Sequence, residues 1–437
     1  MAMLTDARAI SDRQEPVTLE DLGVSPGIVR DLAIKTLFYF GRMTRRQLCD
    51  ELRIAMPAVE EVVHSLTRDG LATVLTAESY EPSSYGYALT QSGQHRAEEA
   101  LARNGYVGPV PVALSEYVAK VNAQSITAMD IPREQIERGL SSLVLNPDTR
   151  RRIGWAVRSH KPLLIHGESG NGKTTVARNI GSIIGGTIEI PYAVEIAGQI
   201  VRVFDPTKHT PVPADDRLGD DDMCQPRRDA RWATIRRPVV WAGGELTRQS
   251  LELVLDPDTK LYEAPLQFKA NGGTLVIDDL GRQQIPAVQL LNRWIVALEA
   301  GMDHLTLHTG QTIEVPFDVL LIFSTNLPPE SLADEAFLRR IRYKVEVPGP
   351  DEAEYREIFR RECSARGLAY DDDAVTHLLA TWYTNRERRG SHPRDIVEAV
   401  IDAAHHDGCP SVVTVESLED ACRSYFLSPR IKPPSAE

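Results

Sequence analysis

A short glycine-rich segment holds residue types that bind phosphate groups. The spacing Gly-x-x-x-x-Gly-Lys-Thr runs from Gly167 to Thr174 and directly follows the apolar residues 163–165. Glycines let the backbone curl so that consecutive N–H groups point inward at phosphate oxygens, and a helix that begins after the loop adds the positive end of its dipole. A strand, a glycine-rich loop and a helix in this order predict a nucleotide-binding phosphate loop. The residues predicted to bind the nucleotide are Gly167, Glu168, Ser169, Gly170, Asn171, Gly172, Lys173, Thr174 and Thr175.

Two side chains of this loop have specific expected roles. Lys173 is placed to reach the β and γ phosphates of ATP, and Thr174 is placed to give its hydroxyl to Mg²⁺. ATP and Mg²⁺ are therefore the expected nucleotide and metal.

Two later apolar segments end in polar residues that could complete the chemistry. Residues 273–277 lead into Asp278 and Asp279, and residues 319–325 lead into Asn326. If both segments are strands of one parallel sheet, their carboxyl ends lie beside the phosphate loop. Asp278 would then hold Mg²⁺ directly or through water, and Asp279 would orient and polarise the attacking water. Asn326 would contact the γ-phosphate or that water.

Three arginines farther along the chain are candidates for stabilising the transferred phosphoryl group. Arg339 and Arg340 end a short predicted helix, and Arg394 lies at the start of a later one. A guanidinium stabilises the charge that spreads over the γ-phosphoryl oxygens, and a neighbouring subunit can supply it.

The pattern of apolar and polar residues along the chain predicts the elements that position these residues. From Pro162 to about residue 348, short apolar strands alternate with helices, which predicts a mostly parallel sheet with helices on both faces. Beyond residues 348–350, only helical periodicity continues, to about residue 427. The expected fold class is α/β, with a phosphate-binding sheet core followed by a helical lid.

The first hundred residues show a different pattern. Thr44 is a natural N-cap before one helix, Pro57 suits the first turn of the next, and two short β-like runs follow at residues 71–75 and 85–89. This order resembles a winged-helix domain of α+β type, including the phrase Tyr-x-Leu-Thr-x-x-Gly at Tyr87, Leu89, Thr90 and Gly93.

The charge of this segment argues against DNA reading, the obvious function of such a domain. The helix that would enter the groove offers Glu60 and Glu61 where a reader needs Arg, Lys, Asn or Gln. Residues 1–125 hold 12 Lys and Arg against 16 Asp and Glu, a net charge of −4. A protein client or adaptor is the favoured partner of this domain, while nucleic acid stays open as the less favoured one.

The whole series of motifs, in this order, resembles the AAA+ ATPases over roughly residues 130–427. The resemblance implies that Lys173 and Thr174 belong to Walker A, that Asp278 and Asp279 form Walker B, and that Asn326 is sensor 1. It further implies that Arg340, with Arg339 as the alternative, is an arginine finger acting on the next subunit, and that Arg394 is sensor 2 on the lid. A homo-oligomeric ring, of hexameric type, follows from the same resemblance.

The second Walker B residue departs from the pattern of the family. The family usually has Asp-Glu where this chain has Asp278 and Asp279. Asp is one methylene shorter than Glu, so the distance to the lytic water differs. Slow hydrolysis, or hydrolysis that needs a partner, is the corresponding expectation.

A predicted hairpin narrows the resemblance to one branch. Residues 305–315 alternate around Gly310, as in a β-hairpin. A hairpin at this point is similar to the one in the branch that holds MoxR-type chaperones, magnesium-chelatase subunits and enhancer-binding activators. The Gly-Ala-Phe-Thr-Gly-Ala loop of those activators is absent from the sequence, which counts against a σ-dependent activator.

The predicted organisation along the chain has six parts. These are a mobile tail at 1–15, a winged-helix-like domain at 16–108, linker helices at 109–145, the nucleotide-binding core at 146–348, the helical lid at 349–428 and a tail at 429–437. Residues 204–237 are either a surface insertion or an element for substrate or subunit contact. Trp241 and Tyr262 within the core are weighed as pore aromatics, with core packing as the favoured role.

Composition and net charge limit the possible partners, the location and the metal sites of the protein. The net charge of −13 works against broad binding to nucleic acid. No apolar run approaches the ~18–20 residues of a membrane span, and the start of the chain is polar, so the cytoplasm and no membrane partner are expected. The five scattered cysteines and the adjacent His405 and His406 show no metal-ligand spacing.

The expected function is therefore ATP-dependent remodelling of a protein partner by a ring-forming ATPase, as in a MoxR-like chaperone or assembly factor. Two alternatives remain at this point. One is a DNA-directed regulator or loader that uses the winged helix, and the other is a nucleotide-gated switch that hydrolyses little.

Overall fold

A computed structural model describes residues 15–75, 85–213, 228–332 and 338–426. The predicted tail at 429–437, all but the last residue of the tail at 1–15, and the middle of the segment 204–237 lie outside these residues. The chain forms two compact units. The first combines Met1–Met129, Ile184–Leu275 and Gln289–Leu320, and the second combines Asp130–Ile183, Val276–Val288 and Leu321–Glu437. The domain bounds given above stay a prediction.

The first unit begins with four helices and a small antiparallel sheet in the predicted order. Its three strands lie in the order Met43–Thr44, Gly86–Leu89, Ala72–Leu75, with Gly86–Leu89 in the centre. Apolar side chains of all four helices pack into one core with this sheet. The helices are Pro26–Phe40, Arg45–Leu52, Met56–Arg68 and Gln91–Arg103.

Thr44 caps the second of these helices, as its sequence context predicts. Its side chain accepts a hydrogen bond from the backbone N–H of Gln47, and the Gln47 side chain accepts from the backbone N–H of Thr44, at 2.8 Å. We expect Thr44→Ala to lower the free energy of unfolding by about 1 kcal/mol, because an N–H of the first turn loses its partner. Thr44→Ser keeps the hydroxyl and should stay within a few tenths of a kcal/mol of the wild type. Chemical denaturation measures the free energy of unfolding of both variants. An equal loss of this free energy in Thr44→Ala and Thr44→Ser would show that the hydroxyl of Thr44 does not stabilise the helix.

A second sheet and two strand pairs complete the first unit. The five-stranded sheet has the order Val254–Leu255, Tyr262–Glu263, Gln199–Arg202, Ala193–Ile196, Val112–Ala113. One strand pair joins Thr187–Pro191 to Trp232–Arg236. The other is the antiparallel hairpin Met302–Thr306 with Thr312–Pro316, which confirms the hairpin predicted at residues 305–315. The further helices of this unit are Leu114–Ala123 and Leu266–Lys269, and Ala287–Ala300 continues into it from the second unit.

The described flanks of segment 204–237 include residues that are buried in the first unit. Arg231 is 1% exposed, its guanidinium donates to the carbonyls of Leu22 and Pro111, and it pairs with Asp229 at 2.8 Å. A buried guanidinium has to be paired and hydrogen-bonded to be tolerated, and here all its partners are supplied by the fold. Tyr262 is fully buried in the same unit, which supports core packing over a pore role.

The parallel sheet that carries the predicted chemistry has five strands. Their order is Val239–Ala242, Gly273–Ile277, Val319–Thr325, Leu163–His166, Tyr343–Glu346. The strand Leu163–His166 is parallel to both of its neighbours, with Leu163 opposite Ile322 on one side and Tyr343 on the other. Helices flank the sheet, so the fold is α/β with a parallel sheet between helices, as expected. The helices of the second unit before residue 350 are Arg133–Gly139, Pro147–Ser159, Lys173–Ile183 and Pro329–Leu332.

Four helices follow the sheet, and the described residues beyond 350 contain no strand. The helices are Glu352–Ala365, Asp372–Trp382, His392–Asp407 and Val415–Tyr425, and they enclose a core of their own. Side-chain caps at Asp351, Asp371 and Thr414 define where three of them begin. None of the described helices combines the length and the apolar character that a bilayer crossing requires.

Candidate functional site

The predicted phosphate loop lies between the strand Leu163–His166 and the helix Lys173–Ile183. Gly170 has φ 87° and Gly172 has φ 82°, a left-handed backbone that residues with a Cβ rarely adopt. A Cβ at Gly170 would also lie 2.8 Å from the hydroxyl oxygen of Ser391. The curled path of the loop therefore depends on glycine at these positions.

Lys173 holds this curl from inside the loop. Its ammonium group is buried and donates to the carbonyl oxygen of Glu168 at 2.7 Å. Burial lowers the pKa of Lys173, while the carboxylates of Asp279 and Asp278 act in the opposite direction. A cation is thus held under the loop, close to the carboxylates of Asp278 and Asp279.

Thr174 and Asp278 come together although 104 positions separate them in the chain. The hydroxyl of Thr174 donates to a carboxylate oxygen of Asp278 at 2.9 Å. Hydroxyl and carboxylate oxygens are the hard ligands that Mg²⁺ prefers, and Mg²⁺ typically takes few protein ligands beside water and phosphate. The two residues predicted to bind the metal therefore form a donor set that fits it.

Asp279 lies at a strained position between two strand ends. Its φ is 51°, in the left-handed region that Asp and Asn tolerate better than most residues. A carboxylate oxygen of Asp279 accepts from the side-chain amide of Asn326 at 3.1 Å. The backbone N–H of the next residue, Leu280, donates to the carbonyl of Ser324 at 2.7 Å. The carbonyl of Leu280 accepts from the hydroxyl of Thr325 at 2.8 Å. The turn that holds Asp279 is thus hydrogen-bonded to the end of the strand that precedes Asn326.

Most of these residues, though not Glu168 and Asp278, line one cleft of about 480 Å³ within the second unit. Its walls include Lys173, Thr174, Asp279, Asn326 and Arg394. The volume lies in the range of small-molecule sites.

Arg394 enters this cleft from the helix His392–Asp407. Its guanidinium lies 2.8 Å from Asp395, and 55% of its side chain is exposed. The neighbouring Ser391 donates its backbone N–H to the carbonyl of Gly170 at 2.8 Å, so the start of this helix contacts the phosphate loop directly.

Arg339 and Arg340 are not among the residues that line this cleft. Arg339 instead borders a second opening with His166, Glu330 and Lys344. The structure therefore brings together the loop, the Asp-Asp pair, Asn326 and Arg394. Arg339 shares only the second opening with Gly167, Glu168 and Asn326, and Arg340 lines neither opening.

Two arginines that the sequence reasoning missed also line the cleft. Arg361 comes from the helix Glu352–Ala365 and donates to the carbonyls of Ser141 and Ser142 at 3.1 and 3.0 Å. Arg282 follows Asp279 by three residues and lies at the end of a turn that Gln283 braces against the carbonyl of Asp278. Arg282 could have been predicted from the sequence, because it follows the Asp278–Asp279 pair so closely. Arg361 could not, because it reaches the cleft only through the packing of the C-terminal helices.

We expect Arg282→Ala to reduce the preference of the cleft for ATP over ADP by about tenfold. A guanidinium beside Lys173 adds positive charge where a γ-phosphate would lie, and one charge-assisted hydrogen bond is worth about 1.5–3 kcal/mol. Titration of a fluorescent ATP analogue against unlabelled ATP and ADP measures the ratio. Arg282→Lys should retain part of it, and Arg133→Ala, which removes a side chain that is 83% exposed, serves as the control. An unchanged ratio in Arg282→Ala would place this side chain outside nucleotide contact.

The comparisons with known proteins give these findings. A family model described as a domain of unknown function (DUF8689) matches residues 351–424, within the four C-terminal helices. No curated protein matches the sequence. Among solved structures, the chain is similar to NtrX from Brucella abortus in complex with ATP, at 17% identity over 67% of this chain and 64% of that chain, with a TM-score of 0.40.

Two further similarities are of the same order. The ADP complex of NtrX matches at 18% identity over 64% of this chain and 56% of that chain, with a TM-score of 0.38. The RuvB Holliday junction branch migration motor of Thermotoga maritima matches at 15% identity over 69% of this chain and 72% of that chain, with a TM-score of 0.34. The chain thus spans less than two thirds of the NtrX chains that it matches.

Proposed function

We propose that this chain is an AAA+ ATPase that binds ATP with Mg²⁺ in the phosphate-loop cleft and hydrolyses it. The observation that supports the proposal is the convergence of three separate segments. Thr174 is hydrogen-bonded to Asp278, and Asp279 is hydrogen-bonded to Asn326, so the loop and two strand ends meet at one cleft.

Each group has a role that follows from its position. The loop N–H groups and Lys173 bind the phosphates, and Lys173 exchanges its bond to the Glu168 carbonyl for one to phosphate oxygens. Thr174 and Asp278 would hold Mg²⁺. When bound, the metal would neutralise part of the charge of the phosphates. Asp279 orients the water and takes up its proton, and Asn326 keeps that carboxylate in place.

Arg339 and Arg340 fit a role toward a second copy of the chain. Since neither lines the cleft of its own chain, we assign the finger role to one of them at the cleft of a neighbouring subunit. This assignment requires a homo-oligomer, for which a hexameric ring is the proposed form. Arg394 then serves the cleft from the lid of the same chain, so that ATP turnover can move the lid helices.

The N-terminal helices favour a protein partner over DNA. The helix Met56–Arg68 buries Ala58, Val59 and Val62 and exposes Glu60 and Glu61. Glu60 is paired with Arg45, and the carboxylate of Glu61 would repel phosphate, so this helix has no surplus of positive charge. We assign this part of the chain to a protein client or adaptor.

A nucleotide-gated switch is the second candidate, and one observation favours it. The carboxylate of Asp279 is shorter by one methylene than the usual Glu and is already bonded to Asn326. Its reach toward a lytic water is therefore limited, which would give ATP-driven assembly with little turnover.

One set of measurements separates these proposals. The rate of phosphate release and the particle mass are measured with Mg-ATP, with ATP and a chelator, and with Mg-ATP plus duplex DNA. The ATPase proposal expects magnesium-dependent turnover and assembly that DNA leaves unchanged. Assembly with negligible turnover would establish the switch, and strong DNA stimulation with salt-sensitive binding would overturn the protein-partner assignment. Failure to bind ATP would overturn the whole proposal.

A further inference from the structure

The outer face of the helix Pro147–Ser159 has the composition of a protein-binding surface. Trp155 is 54% exposed, and the guanidinium of Arg151 lies 5.4 Å from the centre of its ring. Arg152 and Arg158 lie on the same side of the helix, and their side chains are more than half exposed. We call these four residues the Trp155 face. An exposed tryptophan among arginines is the combination most enriched at the energetic centres of interfaces.

This face is locally basic in an acidic chain. Residues 130–161 hold seven Lys and Arg against four Asp and Glu, while the whole chain has a net charge of −13. Arg151 and Arg152 share a single carboxylate, that of Asp148, at 2.6 and 2.8 Å. Exposed ion pairs of this kind contribute little, so the arginines can exchange them for a better-placed acidic partner.

The lid of the same chain presents a surface of opposite character. Residues 351–426 hold 16 Asp and Glu against nine Arg and no Lys, a net charge of −7. At the start of the helix Val415–Tyr425, Val412 and Val415 are 50% and 40% exposed. Glu416 and Asp420 of the same helix are exposed as well, and Asp420 is paired with Arg423 at 3.3 Å, an exposed ion pair that a better-placed cation can replace. We call Val412, Val415, Glu416 and Asp420 the Val415 face. It offers apolar area for a tryptophan and carboxylates for arginines.

We infer that the Trp155 face of one chain binds the Val415 face of a second copy of this chain. The two faces differ, so the contact is heterologous: each chain uses one face toward one neighbour and the other toward the next, as ring closure requires. Charge complementarity between residues 130–161 and the lid selects this occupant. The inference builds on the proposed assembly and names the surfaces that carry it.

Single-stranded nucleic acid is the rival occupant, because aromatic and basic side chains together can stack bases and bind phosphate. The face itself argues against it. Asp148 and Asp130 lie within 3.3 Å of its arginines and leave the face little net positive charge for a phosphate backbone. The exposed Val412 and Val415 give a protein partner apolar area for Trp155, which a phosphate backbone does not offer.

Charge exchange between the faces tests the inference in the full-length chain. Arg151→Glu with Arg152→Glu, and separately Glu416→Arg with Asp420→Arg, should each weaken Mg-ATP-dependent assembly by at least about thirtyfold in apparent Kd, as expected for loss of an interface centre. Sedimentation velocity measures the mass. The chain that carries all four substitutions should regain assembly, because the charges are again complementary. Arg133→Glu, a reversal of charge off the face, should assemble like the wild type.

Mixing adds a test that only a heterologous contact passes. Each double variant keeps one intact face and carries one reversed face, and between the two variants both the intact pair and the reversed pair are complementary in charge. An equimolar mixture should therefore regain the assembly that each variant alone has lost. Trp155→Ala should reproduce the assembly defect without any change of charge. Thermal melting and binding of a fluorescent ATP analogue show that each variant is folded and has an intact cleft.

Several results would overturn the inference. They are normal assembly of the Arg151→Glu, Arg152→Glu variant, no rescue in the fourfold variant, or loss of binding to single-stranded DNA while assembly is normal. A wild-type chain that binds ATP and stays monomeric would also overturn it, and would leave the ATP-binding part of the proposed function standing. A wild-type chain that assembles but binds no ATP would instead contradict the proposed function alone.

Discussion

Lys173→Ala is expected to abolish ATP turnover, with at least a hundredfold fall in the rate of phosphate release. The ammonium of Lys173 is buried under the phosphate loop and lies within bonding distance of the loop carbonyl of Glu168. Other cations lie near the loop, but Arg282, Arg361 and Arg394 enter the cleft from other segments and Arg389 pairs with the carboxylate of Glu168, so none of them takes the place of the Lys173 ammonium. Removal of one pre-positioned donor to a developing anion costs about 3–4 kcal/mol, which corresponds to two to three orders of magnitude.

ATP affinity should fall together with the rate, because Lys173 contacts the phosphates in the bound state as well. Isothermal titration with Mg-ATP and a phosphate-release assay measure the two effects. Lys161→Ala, which removes an exposed lysine just before the strand Leu163–His166, is the matched control and should leave both unchanged. Normal ATP binding by a folded Lys173→Ala chain would show that the nucleotide site had been placed wrongly.

Asp279→Asn is expected to keep ATP binding and to slow hydrolysis by about two to four orders of magnitude, the range for loss of a general base. Asn has nearly the same shape as Asp and also tolerates the left-handed backbone at φ 51°, so the turn between the two strands should persist. The change therefore removes the carboxylate without moving Asp278 or Thr174. Single-turnover kinetics with preformed complex separates the chemical step from binding.

Asp279→Glu is the informative companion, since it restores the residue that is usual in AAA+ proteins. The longer side chain reaches farther toward the lytic water. Glu is less favourable than Asp at a positive φ, however, and this lowers the free energy of unfolding by on the order of 1 kcal/mol. We expect a lower melting temperature and no gain in turnover. A large gain would identify the missing methylene as the reason for slow hydrolysis and would support the switch. Wild-type turnover by Asp279→Asn would show that another group activates the water.

Much of the candidate site follows from local sequence. A strand, a loop with glycines at fixed spacing and a helix are defined by neighbouring residues, and the structure has them at Leu163–His166 and Lys173–Ile183. Buried strands that end in Asp278 and Asn326 were predicted from uniform apolar runs, and the hairpin from alternation around Gly310. In each case the signal and the structure lie within about 15 residues, where turn chemistry and periodicity operate.

Other features depend on contacts between distant parts of the chain. No periodic pattern in the sequence predicts that Arg282 and Arg361 line the cleft or that Arg231 is buried. The same holds for the way in which separate segments of the chain combine into two compact units. Arg231 shows why. A charged residue in a stretch rich in Pro, Asp and Arg is normally exposed, and besides the nearby Asp229 its guanidinium needs the carbonyls of Leu22 and Pro111, more than 100 positions away, for its burial to be tolerated.

The sequence by itself therefore determined the kind of chemistry, because phosphate binding needs a loop, a lysine and a hydroxyl that are adjacent in the chain. The tertiary structure decided which groups share the cleft and which do not. Thr174 meets Asp278 and Asn326 meets Asp279 because parallel strands deliver their ends to one edge of the sheet, while Arg339 and Arg340 lie outside the cleft. That separation, which no local pattern encodes, is the physical reason to seek the completing arginine on another chain.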